Sequence, residues 1–145
     1  MALNIIFLDI DGVLCLGRKM DKNCLQHLKT ITDITSARIV LSSSWRFFPK
    51  SRAQIEASFK EIGINSLLGW TGSQGKTRVD EIYSWMKNFD NKTIEEDIII
   101  NKWIAIDDMD LYTLDKTRMQ DHFVLTTLIQ GITEETVKEA IRLLS

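Results

Sequence analysis

Phe7-Leu8-Asp9-Ile10-Asp11-Gly12-Val13-Leu14 decides how this chain reads. The run Ile5-Ile6-Phe7-Leu8 is apolar without alternation, which suits a parallel strand covered on both faces. It stops at two carboxylates two positions apart, beside a glycine. Such neighbours repel and raise one another's pKa unless a cation lies between them. The same kind of joint recurs downstream. Ile39-Val40-Leu41 is a second buried strand, stopped by Ser42-Ser43-Ser44, and Trp103 to Ile106 is another, ending in Asp107-Asp108.

Helical patterns lie between these strands. Asp21 caps a helix with Leu25, Leu28 and Ile31 on one face. Ser51 and Gln54 have capping-box spacing before a helix that reaches Ile62, and Gly63 is its stop. A weak strand is expected near Leu67-Leu68. Thr77 opens a helix through Ile82, Trp85 and Met86. Asn88 to Asn101 reads as an enlarged loop, in which Thr93 and Glu96 cap a short turn. The last strand spans Phe123 to Thr126, and Thr133-Glu134-Glu135 starts a terminal helix with its acids near the positive end. Alternating strands and helices predict an α/β fold: a single Rossmann-like domain over residues 1–145, three-layered, with a mostly parallel sheet. Ligands of such sheets bind beyond the carboxyl ends of the strands, where Asp9, Asp11, Ser42, Asp107 and Asp108 collect.

The composition narrows the classes. At 145 residues the chain forms one domain rather than two. With 44% hydrophobic residues, 7 Gly and 1 Pro, disorder and low complexity are excluded. Lys plus Arg is 18 against 20 for Asp plus Glu, so overall charge marks neither a nucleic-acid binder nor a binder of acidic membranes. Arg46, Lys50 and Arg52 nonetheless form a local basic stretch. Cys15 and Cys24 read as reduced thiols, Met1 to Ile10 has no charged head of a signal peptide, and no apolar run has the length of a membrane span. The expectation is a soluble, cytoplasmic protein. His27 and His122 are not placed for catalysis.

Any one of these aspartates alone would most simply cap a turn or a helix. Four of them on one rim, with hard oxygen donors and few histidines, point instead to Mg²⁺ completed by a phosphate.

On Phe7 to Leu14, Ile39-Val40-Leu41-Ser42 and Trp103-Ile104-Ala105-Ile106-Asp107-Asp108, in this order and spacing, the chain resembles the haloacid dehalogenase (HAD) superfamily of phosphohydrolases. Ser42-Ser43-Ser44-Trp45-Arg46 and Arg78-Val79-Asp80-Glu81-Ile82 with Trp85 look more narrowly like the small HAD domains associated with nucleic-acid repair proteins. The resemblance implies hydrolysis of a phosphate monoester with Mg²⁺. Asp9 would be the nucleophile forming an aspartyl phosphate, and Asp11 the general acid and then base. Ser42, or Ser43 if the strand runs one residue longer, would donate to the phosphoryl group. Lys76 or Arg78 would supply the basic residue, Arg78 being preferred. Asp108, Asp9 and the backbone carbonyl of Asp11 would hold the metal, with Asp107 assisting. Trp45 and Arg46 are expected near the rim, to stack on a base or ring and hold a second phosphate, unless Trp45 packs into the core.

Asp11 and Ser42 are 31 positions apart, and Ser42 and Arg78 are 36 apart. Neither interval holds an inserted cap domain, so the site is expected to be open. By the resemblance, open members act on macromolecules, here a nucleic-acid end or a phosphoprotein, or use a neighbouring subunit as a lid over a small metabolite. A receiver domain has similar acids but a Lys after its last strand, where this chain has Leu128-Ile129-Gln130. A catalytically silent phosphate-binding module is the remaining alternative.

Overall fold

The computed structural model describes residues 1–73 and 75–145. The chain runs through β1 (Ala2–Leu8), a hairpin of β2 (Cys15–Leu16) and β3 (Lys19–Met20), α1 (Lys22–Thr35) and β4 (Arg38–Leu41). A 3₁₀ turn (Ser44–Phe47), α2 (Pro49–Ile62), β5 (Gly69–Trp70) and α3 (Arg78–Thr93) follow. A second 3₁₀ turn (Ile94–Glu96) leads to β6 (Ile99–Asp107), α4 (Leu111–Leu114), α5 (Lys116–Met119), β7 (Phe123–Leu125) and α6 (Glu134–Leu144).

Five strands form a parallel sheet in the order β5-β4-β1-β6-β7. The unalternating run of β1 is covered on both faces. Ile6 and Leu8 pack with α1, α2 and α6, while Ile5 and Phe7 pack with α3, α4 and α5. The ring of Phe7 meets Trp85 and Trp103 edge-on, with centroids 5.6 and 5.8 Å apart. Register carries this order to the site. Leu8 pairs with Leu41 on one side and Ile106 on the other, so Asp9, Ser42 and Asp107 leave the sheet at one level.

Local chemistry sets several element ends as expected. The Asp21 carboxylate accepts from the Cys24 N–H, and Gly63, at φ +87°, turns α2 off. Thr77 and Asp80 form a reciprocal capping box at the start of α3.

Other ends differ from the sequence reading. α2 begins at Pro49, with Phe48 at its cap and Ser51 inside it, because proline's fixed φ suits a first helical turn. β5 lies at Gly69–Trp70 rather than Leu67-Leu68, paired with Val40 and Leu41. Asn88 to Asn101 is not an enlarged loop. α3 continues to Thr93, its added turn held by Phe89 stacked on Trp85 at 5.0 Å, and β6 already starts at Ile99. The expected short turn is the 3₁₀ turn, with Thr93 at its cap position, but the Thr93 hydroxyl makes no capping bond and donates to the Phe89 and Ile98 carbonyls. β7 ends at Leu125, leaving Thr126 free for another task.

Among the described residues, only the hairpin, α1 and β4 lie between Asp11 and Ser42, and only a 3₁₀ turn, α2 and β5 between Ser42 and the start of α3. This is an α/β core without an inserted cap, as the spacing implied. Among the described residues no helix is long and apolar enough to cross a membrane.

Candidate active site

Three carboxylates meet at the carboxyl ends of β1 and β6. One oxygen from each of Asp9, Asp107 and Asp108 lies within 4.8 Å of the others. Asp9 and Asp107 are buried and Asp108 is partly so. Asp9 is placed by its own N–H, which donates to the Ile106 carbonyl at 3.1 Å and extends the ladder one residue past β1. Burial, and then the charge of Asp107, push the Asp9 carboxyl up to about 8, against the pull of Arg78. Burial likewise raises Asp107 above the usual carboxylate range. Two buried acids crowded together favour a cation between them. An all-oxygen cluster of this kind fits a hard divalent cation such as Mg²⁺.

Arg78 is the positive group that reaches them. It is the first residue of α3, and its Nη1 lies 2.7 Å from Asp107 and 3.7 Å from Asp9. Burial works against its charge, but Asp107 and Asp9 outweigh that and strengthen its hold on the proton. Lys76, the other candidate, is exposed and forms no ion pair among the described residues.

Asp11 stands apart from the three. Its exposed carboxylate accepts a hydrogen bond from Trp45 Nε1 at 3.2 Å. A cavity of about 610 Å³ opens beside it, bounded by Cys15, Leu16, Gly17, Leu128 and Ile129. The two serines divide their work. Ser43 caps the 3₁₀ turn, its hydroxyl accepting from the Trp45 N–H at 3.2 Å. The Ser42 hydroxyl has no hydrogen-bond partner among the described residues and follows β4 at the level of Asp9.

Arg46 differs from its expected place at the rim. It is 5% exposed, and its guanidinium donates to the carbonyls of Ser42, Ser43, Thr71 and Gly72 and to Glu81 at 3.1 Å. A guanidinium committed to five acceptors is not offered to a substrate phosphate. It ties the loop after β4 to the loop after β5 and to α3. Trp45 is half-buried against the core, the alternative to stacking that the sequence offered, and its bond to Asp11 was not expected from the sequence.

Three contacts were not legible as site features. Gly12, at φ +76°, lies so close to Asp108 that an added Cβ would fall 2.4 Å from its Oδ2. Thr126 donates to the Gly12 carbonyl at 2.6 Å and holds that turn from β7. Glu81 neutralises Arg46. Only the first had a local sign, the glycine after Asp11. The other two join residues far apart in the chain.

The model of the family described as the HAD domain in Swiss Army Knife RNA repair proteins matches residues 5–137. No curated protein and no solved structure matches the chain.

Proposed function

The chain belongs to the family of HAD domains in Swiss Army Knife RNA repair proteins, and on that premise we propose that it is a Mg²⁺-dependent phosphatase acting on a phosphate monoester through Asp9. One observation carries the reading: the buried Asp9 carboxylate faces Arg78 at 3.7 Å within a group of three convergent acids, at an open strand end. Asp9, Asp108 and the backbone carbonyl of Asp11, with Asp107 beside them, would hold Mg²⁺, which supplies neutralisation of the phosphoryl charge.

The chain's own groups perform the rest. Arg78 offsets negative charge around Asp9 and Asp107, lowering the repulsion between a carboxylate and a phosphate. An Asp9 oxygen attacks phosphorus, the phosphorus–oxygen bond of the ester breaks, and Asp11 gives its proton to the leaving oxygen. Asp11 then takes a proton from water, whose oxygen attacks the aspartyl phosphate and releases Asp9 and inorganic phosphate. The Ser42 hydroxyl donates to a phosphoryl oxygen throughout.

The open site and the family's association with RNA repair favour a macromolecular phosphate, a nucleic-acid end ahead of a phosphoprotein. The test is phosphate release with Mg²⁺ from p-nitrophenyl phosphate, end-phosphorylated oligonucleotides, phosphopeptides and small metabolites. Turnover lost on chelation and regained with Mg²⁺ supports the reading. Tight turnover of one metabolite by an oligomer would assign a neighbouring chain as lid. Phosphate binding without turnover would leave a silent binding module.

A further inference from the structure

Charges around the open face are segregated. Segments 42–55 and 70–78, beside β4 and β5, carry Arg46, Lys50, Arg52, Lys76 and Arg78 and no carboxylate. Segment 107–115, at the end of β6, carries Asp107, Asp108, Asp110 and Asp115 and no cation, and segment 126–133 carries no charge. Arg46 and Arg78 are engaged with Glu81, Asp107 and Asp9. Lys50, Arg52 and Lys76 form no ion pair among the described residues.

The cationic side also exposes aromatic rings. Phe47, Phe48 and Trp70 are 54%, 60% and 47% exposed. The Arg52 guanidinium donates to the Arg46 carbonyl and lies over one face of the Trp70 ring, 4.3 Å from its centroid. On the other side, the uncharged loop after β7 exposes the aliphatic Leu128 and Ile129. Trp70 also borders a cavity of about 650 Å³ between edge strand β5 and α3, with Gly72, Glu81, Trp85 and Phe89 in its lining. Glu81, in that lining, is one helical turn beyond Arg78 and pairs with Arg46.

The geometry points to a track for single-stranded polynucleotide over this side, with bases stacking on Phe48 and Trp70 and backbone phosphates meeting Lys50 and Arg52. Exposed flat rings beside cations that have no carboxylate partner among the described residues match a chain of bases and phosphates. A phosphopeptide brings one phosphate and no succession of rings. The acidic side repels a polyanion, so the strand lies over β4 and β5 and brings its terminal phosphate toward Asp9. The inference rests on the phosphatase reading for that last step alone.

Binding tests the surface without chemistry. Anisotropy of a fluorescein-labelled single-stranded RNA lacking an end phosphate is measured on the full chain. Phe48→Ala/Trp70→Ala should raise Kd about tenfold or more, the effect of removing stacking rings. Lys50→Glu, a change the first turn of α2 tolerates, should weaken binding and flatten its salt dependence. Ile129→Ser, on the opposite side, should leave Kd within about twofold. In turnover, Phe48→Ala/Trp70→Ala should lower kcat/KM for end-phosphorylated RNA about tenfold more than for p-nitrophenyl phosphate. Unchanged RNA affinity in both Phe48→Ala/Trp70→Ala and Lys50→Glu, or a wild-type preference for phosphopeptides, would overturn the track and leave the phosphatase reading intact. RNA binding that follows these variants without turnover of any phosphate would keep the track and defeat the phosphatase reading.

Discussion

Trp45 Nε1 donates to the Asp11 carboxylate at 3.2 Å, across 34 positions of sequence. The group assigned to move the proton is thus oriented by the loop that follows the neighbouring strand. Because the Trp45 N–H is itself capped by Ser43, the loop after β4 positions both Ser42 and Asp11, the proposed phosphoryl donor and acid.

Trp45→Phe should therefore lower turnover about tenfold through a lost hydrogen bond to a charged group. The loss should be larger for an alkyl phosphate, whose leaving oxygen needs a proton, than for p-nitrophenyl phosphate. Equal losses on both esters would show that Trp45 does not act through Asp11.

Asp9→Asn should lower turnover by at least about 10³-fold while preserving the fold, since the amide keeps the shape and removes the nucleophile. Kinetics with p-nitrophenyl phosphate and circular dichroism of the same sample check this. A variant keeping a tenth of the activity would rule out a covalent step on Asp9.

The same carboxyl should make the stability of the metal-free chain depend on pH. Native Asp9 keeps its proton up to about 8, whereas the unfolded chain releases it near 3.8. Between these values the native state binds more protons, so stability must fall as pH rises across that window. Urea unfolding with chelator should show a loss of at least about 1 kcal/mol, the worth of less than one pKa unit. Mg²⁺ or Asp9→Asn should flatten the dependence, and a flat profile in the metal-free wild type would contradict the crowding of Asp9 and Asp107.

Arg46→Ala should destabilise the fold by about 3–5 kcal/mol, because it strands Glu81 and the carbonyls of Ser42, Ser43, Thr71 and Gly72. Arg46→Lys should recover little, since an ammonium cannot span five acceptors in a planar fork. Denaturant midpoints decide it. A selective loss on polymers with normal stability would return Arg46 to the surface role expected from sequence.

Gly12→Ala should raise the Mg²⁺ concentration for half-maximal activity about tenfold or more, as its methyl group would displace the Asp108 carboxylate. The left-handed φ adds about 1–2 kcal/mol of destabilisation. Metal titration of activity separates the two effects.

Much of this was written locally. The doubly apolar run before Asp9, the acids after β6, the Ser after β4 and the caps at Asp21, Thr77 and Thr133 are patterns within a few residues, each with its own physical cause. From them follow a parallel sheet, the end of it that bears the site, and the absence of a cap. The added turn of α3 did have a local sign, Phe89 four positions after Trp85 on one helical face, which the polar neighbours Asn88, Asp90, Asn91 and Lys92 obscured. Arg46 reads in sequence as part of a basic surface stretch, and only its burial against Thr71, Gly72 and Glu81 makes it a clamp. Local propensity and periodicity determine which residues end strands and start helices. Which side chains then meet across 25 to 35 positions is decided by sheet register and close packing, which no local pattern encodes.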